Sequence, residues 1–418
     1  MTNVSTEFPK FRWVILAVLC ITQVCSSTIL ISIAPLMGVI AKDLGIDLGT
    51  ASFSFMGLHF LATAISCIIS GFLIDRFGLY KVLGGSLTVM AIANASLPFV
   101  GTTYEGVLAI RIIEGFSCAA CVVAIGPVVA TWFPNHEKGT ANGLQSVAIS
   151  LGIAAALVAS PALVNAVGYW QGGVAWLSVL PILALMLNIW VAVAPHPEPP
   201  AQAGPNGSVV SDDDQIFKKA LRKRGFWIGA LAYCCGLWTQ QAFNDLMPSY
   251  FAVEQPIGVG FGPLVAGKIM TTVMFAGIAG SLVVGILLDR VFKGKARPIV
   301  LIGFALLAIC CTSVMFPQVY GNWGTLLLSL VMVGIGTPFI NPVVLAFAAS
   351  SFPSSIVGRV VGIWTGVGLF FGALGVIIGA GALHATGTYH LSIMIVGMVA
   401  VVGFLIAIFM KKPQFRAA

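Results

Sequence analysis

The sequence predicts an all-α membrane protein of twelve transmembrane helices, in two six-helix bundles related by a pseudo-two-fold axis. Three observations carry this expectation. The 418 residues are 58% hydrophobic and 8% charged, whereas soluble domains carry roughly 25% charged residues. Apolar runs of about 20 residues, long enough to cross a hydrocarbon core of roughly 30 Å, recur along the chain. A charged elbow between two such runs appears twice, at matching places in the two halves.

The expected spans are 12–36, 50–74, 82–101, 105–131, 141–166, 172–194, 226–252, 263–288, 298–316, 323–349, 356–383 and 389–410. The first follows Lys10 and Arg12 and runs well past the apolar core of a leader, so it reads as a span. The stretch 195–225 differs in composition. Pro195, Pro197, Pro199 and Pro200 open it, Asp212, Asp213 and Asp214 follow, and a basic cluster from Lys218 to Arg224 closes it. It reads as a polar linker ending in a short amphipathic surface helix, and it divides domain 1–194 from domain 226–418. Of the 21 Lys and Arg, only Lys42, Arg111 and Lys268 fall outside the segments on the N-terminal side of the membrane. An excess of Lys and Arg marks the cytoplasmic side, so both termini are expected there. The short loops suit a bacterial inner membrane.

Other classes are excluded on composition and motif. The net charge of +7 sits at the ends of apolar runs, where it sets orientation, so no nucleic-acid partner is expected. The nine cysteines lie mostly inside apolar runs without metal-ligand spacing, which leaves them as packing residues and implies no cofactor or metal. Gly-x-x-x-x-Gly-Lys-[Ser/Thr] is absent, so ATP is not the energy source, and Gly-x-Ser-x-Gly is absent too. The chain is expected not to be an enzyme. Its expected partners are a small-molecule substrate, protons and lipid, and it is expected to be a monomer.

The halves repeat. The first elbow holds Gly71, Asp75, Arg76, Gly78 and Lys81; 214 residues on, Gly285, Asp289 and Arg290 echo it. Phe133-Pro134, Gly139 and Gly143 likewise return as Phe352-Pro353, Gly358 and Gly362, 219 residues on. Parallel six-plus-six repeats are a transporter architecture with a site between the halves near the mid-membrane. The elbows resemble the loop motif of the major facilitator superfamily, and the resemblance covers the whole chain. Arg111-Ile-Ile-Glu114-Gly115 is similar to its Arg-x-x-x-Gly pattern. Gly143, Gly152, Ala156 and Ser160-Pro161 resemble its antiporter motif, departing from it at Ala156 and Ser160. The resemblance implies alternating access, a cavity lined by the first helix of each half, and a cytoplasmic gate at Gly71, Asp75, Arg76, Gly78, Lys81, Gly285, Asp289 and Arg290.

A charge inside a span costs about 2.5–3.5 kcal/mol even on the lenient insertion scale, so four such residues stand out: Arg111, Glu114, Asp245 and Lys268. Counting 1.5 Å per residue, Arg111, Asp245 and Lys268 lie roughly 9, 10 and 8 Å below the outer membrane surface, and Glu114 a turn deeper. Arg111 cannot shed its charge; it either binds a substrate carboxylate bidentately or sits in a structural ion pair. Glu114 shares its helical face and is either the proton carrier or the fixed partner of Arg111. Asp245 is a second proton site, an outer gate with Lys268, or an interfacial residue. Gln23 and Ser27 in span one, and Gln240 and Asn244 in span seven, are i,i+4 polar pairs that either bind substrate or join helices. Asn341, Trp364 and Lys268 complete the substrate-binding candidates.

Three functions compete. The first is proton-coupled transport of a small organic anion, a carboxylate, with Arg111 binding the anion and Glu114 or Asp245 carrying the proton. The second is proton-driven efflux of lipophilic compounds. The third is a transporter-like sensor or scaffold.

Overall fold

The computed structural model describes residues 9–134, 137–194, 210–352 and 354–411, and every regular element among them is a helix. Among the described residues, ten helices are long and apolar enough to cross a membrane. The two further expected spans are Leu79–Ala95, which has 17 residues, and Arg224–Ala252, which has 29 but carries Gln240, Gln241, Asn244 and Asp245.

Several spans are broken, and in spans one, four and ten a proline accounts for the break. A proline lacks the N–H that would bond four residues back, and its ring clashes with that carbonyl. Span one therefore stops as Arg12–Ile31 and resumes, with Pro35, as a 3-10 turn at Ala34–Leu36 and a helix at Met37–Leu44. Span four runs Tyr104–Val123 and then Ile125–Trp132, with Pro127 four residues after Val123. Span ten runs Trp323–Gly336 and then Asn341–Ser351, with Pro338 in the gap. Span two combines Leu48–Ser52, a π turn at Phe53–Gly57 and Leu58–Phe77.

By packing, the chain divides into two units: Met1–Ile33 with Ala62–Gly207, and Ala34–Leu61 with Ser208–Ala418. In lipid, helices associate by close contact and interhelical hydrogen bonds rather than by leaving water, and the first unit uses both. A Cβ at Gly152 of span five (Lys138–Val167) would lie 2.4 Å from the Val24 carbonyl oxygen, so spans one and five meet backbone to backbone. Thr28 Oγ1 donates to the Gly152 carbonyl there, at 3.0 Å. Asn188 Nδ2 of span six ties to the Tyr80 carbonyl at 2.9 Å, and Thr63 Oγ1 of span two to the Gly115 carbonyl at 3.0 Å. Leu16, Leu83, Leu87, Met90 and Phe133 fill the core between them.

In the second unit the glycine row of span eleven (Ser354–Thr386) lies on span seven (Arg224–Ala252). A Cβ at Gly368, Gly375 or Gly379 would come within 2.7 Å of Tyr233, 2.9 Å of the Trp238 carbonyl oxygen and 3.0 Å of Leu246. The linker helix, Val210–Leu221, belongs to this unit: Phe217 lies 5.9 Å beneath the Arg359 guanidinium, and Trp227 Nε1 donates to the Leu221 carbonyl. Residues 195–209 of the expected linker lie outside the described residues.

The segment Ala34–Leu61, which holds the later part of span one and the first part of span two, seats on spans seven and eleven. Ser249 Oγ donates to the Ala34 carbonyl at 2.6 Å, and Ser52 Oγ to Asp245 Oδ2 at 2.8 Å. Gly49 meets the backbone of His384 so closely that a Cβ would lie 2.4 Å from its nitrogen.

Candidate transport site

Arg111 is the pivot of the first unit. Its side chain is 2% exposed, and Glu114, one turn on, is 1% exposed. Arg111 Nη1 donates to Glu114 Oε2 at 2.7 Å and to the Ile29 carbonyl at 3.2 Å; Nη2 donates to the Leu30 carbonyl at 2.8 Å. These acceptors lie in the last turn of span one, which ends at Ile31, where carbonyls lose their i+4 partners; the Ile29 carbonyl also accepts from Ser32 N–H and Oγ. A cation there also answers the negative end of the helix dipole. Glu114 Oε1 is buried and has no hydrogen-bond partner among the described residues. Arg111 thus sits in the structural ion pair weighed above and also caps the carbonyl end of span one. Gln23 Nε2 donates to Ser27 Oγ at 3.4 Å, and Gln23 Oε1 is buried without a partner among the described residues.

In the second unit, Asn341 opens the inner piece of span ten. Its Nδ2 donates to Gln240 Oε1 at 2.7 Å, while Oδ1 is buried with no partner among the described residues. Gly236 makes the room: a Cβ there would lie 2.3 Å from Asn341 Oδ1. Asn244 is buried. Asp245 is 2% exposed and accepts from Ser52. Lys268 is exposed, with no carboxylate within ion-pair distance among the described residues, so Asp245 and Lys268 do not pair here. Trp364 sits in an aromatic group, edge-on to Phe226 at 5.9 Å and to Phe352 at 6.1 Å, with its ring against Gly229.

The two elbows share a sequence pattern but not a geometry. The first turns at Gly78, whose φ of +87° suits glycine and whose N–H donates to the Ile74 carbonyl. The second passes from Gly285 through a π turn, Leu287–Val291, to Lys293 and Gly294, both at positive φ. Arg76 stacks over Phe77 at 5.3 Å, and Lys81 and Arg290 are exposed. The Asp75 and Asp289 side chains lie outside the described residues, as do Asn135 and His136.

Sequence reasoning missed three partnerships. Arg12, counted only as an orienting charge, grips Glu137 with Nε and Nη2 at 2.9 and 3.0 Å. Asp47 accepts from Thr50 N as a helix cap and meets His384 Nδ1 at 2.9 Å. The cap was legible as Asp-x-x-Thr; its partner 337 residues away was not. The third is Ser52 with Asp245.

Long apolar helices with a sealed ion pair inside one unit are the frame of a polytopic membrane protein. The chain belongs to the Major Facilitator Superfamily, whose family model matches residues 19–295 and 255–417. It is 27% identical over 318 residues to "Solute carrier family 49 member A3" of Danio rerio, covering 72% of this chain; it spans 64% of that relative's length. It is 23% identical to "Probable galactarate/D-glucarate transporter GudP" of Bacillus subtilis, covering 90% of this chain and 87% of the relative. Its fold matches the crystal structure of a D-xylose-proton symporter with a TM-score of 0.71 at 19% identity, over 96% of this chain and 97% of that one.

Proposed function

We propose that this transporter moves a small organic anion, a carboxylate, together with protons, by alternating access of the bundles 1–194 and 226–418 across a bacterial inner membrane, with both termini in the cytoplasm. The observation that supports this best is the Arg111–Glu114 pair with one carboxylate oxygen left over. The guanidinium stays charged, whereas Glu114 can take a proton on Oε1 and lose its pull on Arg111. A substrate carboxylate then replaces it as the bidentate partner. Losing the anion returns Arg111 to an ionised Glu114 and frees the proton. Half-loaded states leave one buried charge unpaired, which costs several kcal/mol, so proton and anion travel together. Gln23, Ser27, Gln240, Asn244 and Asn341 supply hydrogen bonds to the rest of the substrate. The name of the Bacillus subtilis relative denotes organic anions, in keeping with this reading.

A second reading rests on the same pair. Arg111 already holds Glu114 and two carbonyls, which favours export of lipophilic compounds with Glu114 and Asp245 as proton carriers. Uptake into reconstituted vesicles under an acid-outside gradient separates the two. Mono- and dicarboxylates, sugar acids, amino acids and lipophilic cations form the panel. The anion reading expects gradient-driven carboxylate or sugar-acid uptake that Arg111→Ala abolishes. Full anion uptake by Arg111→Ala sinks it, and movement of lipophilic cations alone establishes the second.

A further inference from the structure

The linker helix Val210–Leu221 has two unlike faces. Ile216, Phe217 and Leu221 are half-buried and Ala220 is fully buried, so the apolar face is taken up by the protein itself. Phe217 on that face lies beneath the Arg359 guanidinium of span eleven. Gln215, Lys218, Lys219 and Arg222 are exposed. They stand at i, i+3, i+4 and i+7 and so share the opposite side. Lys223 and Arg224 follow, exposed as well. No carboxylate lies within ion-pair distance of these cations among the described residues.

Helix dipoles explain only part of this charge. The negative end of the linker helix favours Lys218 and Lys219 in its last turn, an effect that fades beyond that turn. Arg224 opens span seven, where the positive end of a dipole disfavours a cation. An anion placed over this junction would answer all of them.

Trp227 sets the depth of the junction. It lies in the first turn of span seven, is 56% exposed, and donates from Nε1 to the Leu221 carbonyl at 2.8 Å. Tryptophan concentrates where membrane meets water, with its ring at headgroup level. The bond therefore holds the end of the linker helix at that level, with its cations turned away from the protein.

We propose that this junction binds the phosphate of an anionic phospholipid in the adjoining leaflet, with Lys218, Lys219, Arg222 and Lys223 around the headgroup and Trp227 beside the glycerol. Clusters of four or more cations next to a span suit anionic lipid. Because the apolar face is spent on the protein, the helix meets headgroups and does not insert. A bound headgroup braces the linker helix against spans seven and eleven. The inference does not depend on which substrate is carried.

The test is native mass spectrometry of the full chain, released from detergent during titration with phosphatidylglycerol or phosphatidylcholine. The wild type retains phosphatidylglycerol in preference, and raising salt from about 50 mM to about 500 mM weakens that retention. Lys218→Gln with Lys219→Gln lowers phosphatidylglycerol affinity about tenfold and leaves phosphatidylcholine unchanged. Lys218→Arg with Lys219→Arg keeps the wild-type affinity. Lys293→Gln with Lys295→Gln removes the same charge from exposed positions at the second elbow and has no effect. Equal retention by the Lys218/Lys219 Gln variant overturns the proposal. An equal loss in the Lys293/Lys295 variant also overturns it, since net charge and not this junction then governs binding. Displacement of the lipid by millimolar inorganic phosphate refutes the lipid assignment in favour of a free anion.

Discussion

Arg111 and Glu114 stand one turn apart on span four with 2.7 Å between nitrogen and oxygen, and both are sealed from solvent. An ion pair so placed is costly to break from one side, because the remaining charge is left buried. Glu114→Gln keeps the shape and can still accept a hydrogen bond from Arg111, but it cannot gain or lose a proton. We expect it to retain anion exchange across vesicles and to lose accumulation driven by a pH gradient. Retained gradient-driven accumulation removes Glu114 from the coupling path.

Arg111→Ala removes the donor to Glu114 and to the Leu30 carbonyl, while the Ile29 carbonyl keeps Ser32. We expect a stability loss of about 3–5 kcal/mol, read by thermal unfolding of the purified protein in detergent. Arg111→Lys does not restore it, since a point charge replaces a planar fork that reaches several acceptors at once. Unfolding of the Lys variant at the wild-type temperature contradicts this.

The glycines of the repeated motifs separate by environment. Gly78→Ala forces a side chain onto φ +87°, costing about 1–2 kcal/mol. Gly71 lies in ordinary helix with open space around the Cβ position, so Gly71→Ala is neutral to folding. Likewise Gly152→Ala drives a methyl into the Val24 carbonyl and costs about 1–3 kcal/mol, whereas Gly143→Ala meets nothing within 4 Å. Paired thermal-stability measurements check both contrasts.

Asp47 carries a pH signature. Slight burial raises its pKa, but hydrogen bonds from Thr50 and His384 outweigh that and bring it down to about 2. A carboxylate whose folded value lies below its unfolded value, roughly 3.9, adds stability that is complete above the unfolded value. That stability is lost as pH falls through the folded value. Hydrogen exchange at the Thr50 amide should therefore accelerate between about pH 4 and pH 2. Asp47→Asn should flatten that response. Because the side chain is half-exposed, the effect on overall stability is small, about 1 kcal/mol or less.

Asp75→Asn, at the first elbow, is expected to slow turnover while leaving substrate binding intact. Turnover equal to wild type in vesicles, at matched protein level, refutes a gating role for Asp75.

The spans, their order and the repeat were legible in the sequence because hydropathy and glycine spacing are local properties of the chain. Prolines stand where spans one, four and ten break, yet Pro161 and Pro248 sit inside continuous helices, so proline alone does not locate a break. The charged pair Arg111 and Glu114 within span four was legible as well, since charge in an apolar run is conspicuous. Their partners were only partly so. Glu114 lies three residues away on the same helix and follows from helical spacing. The carbonyls of Ile29 and Leu30 meet Arg111 only because span one ends beside span four.

What the sequence determined by itself is therefore a twelve-span helical protein with two matching halves and a charged pair in span four. Only the tertiary structure decided that Ala34–Leu61 packs with the later half, that Asp47 meets His384 and Ser52 meets Asp245, and that Lys268 stays apart from Asp245. It also decided that Trp364 lies in an aromatic group with Phe226 and Phe352. The physical reason is range: hydropathy and helical periodicity are set within a few turns. A hydrogen bond across 193 or 337 residues depends on which helix faces the chain packs together, and no local pattern encodes that.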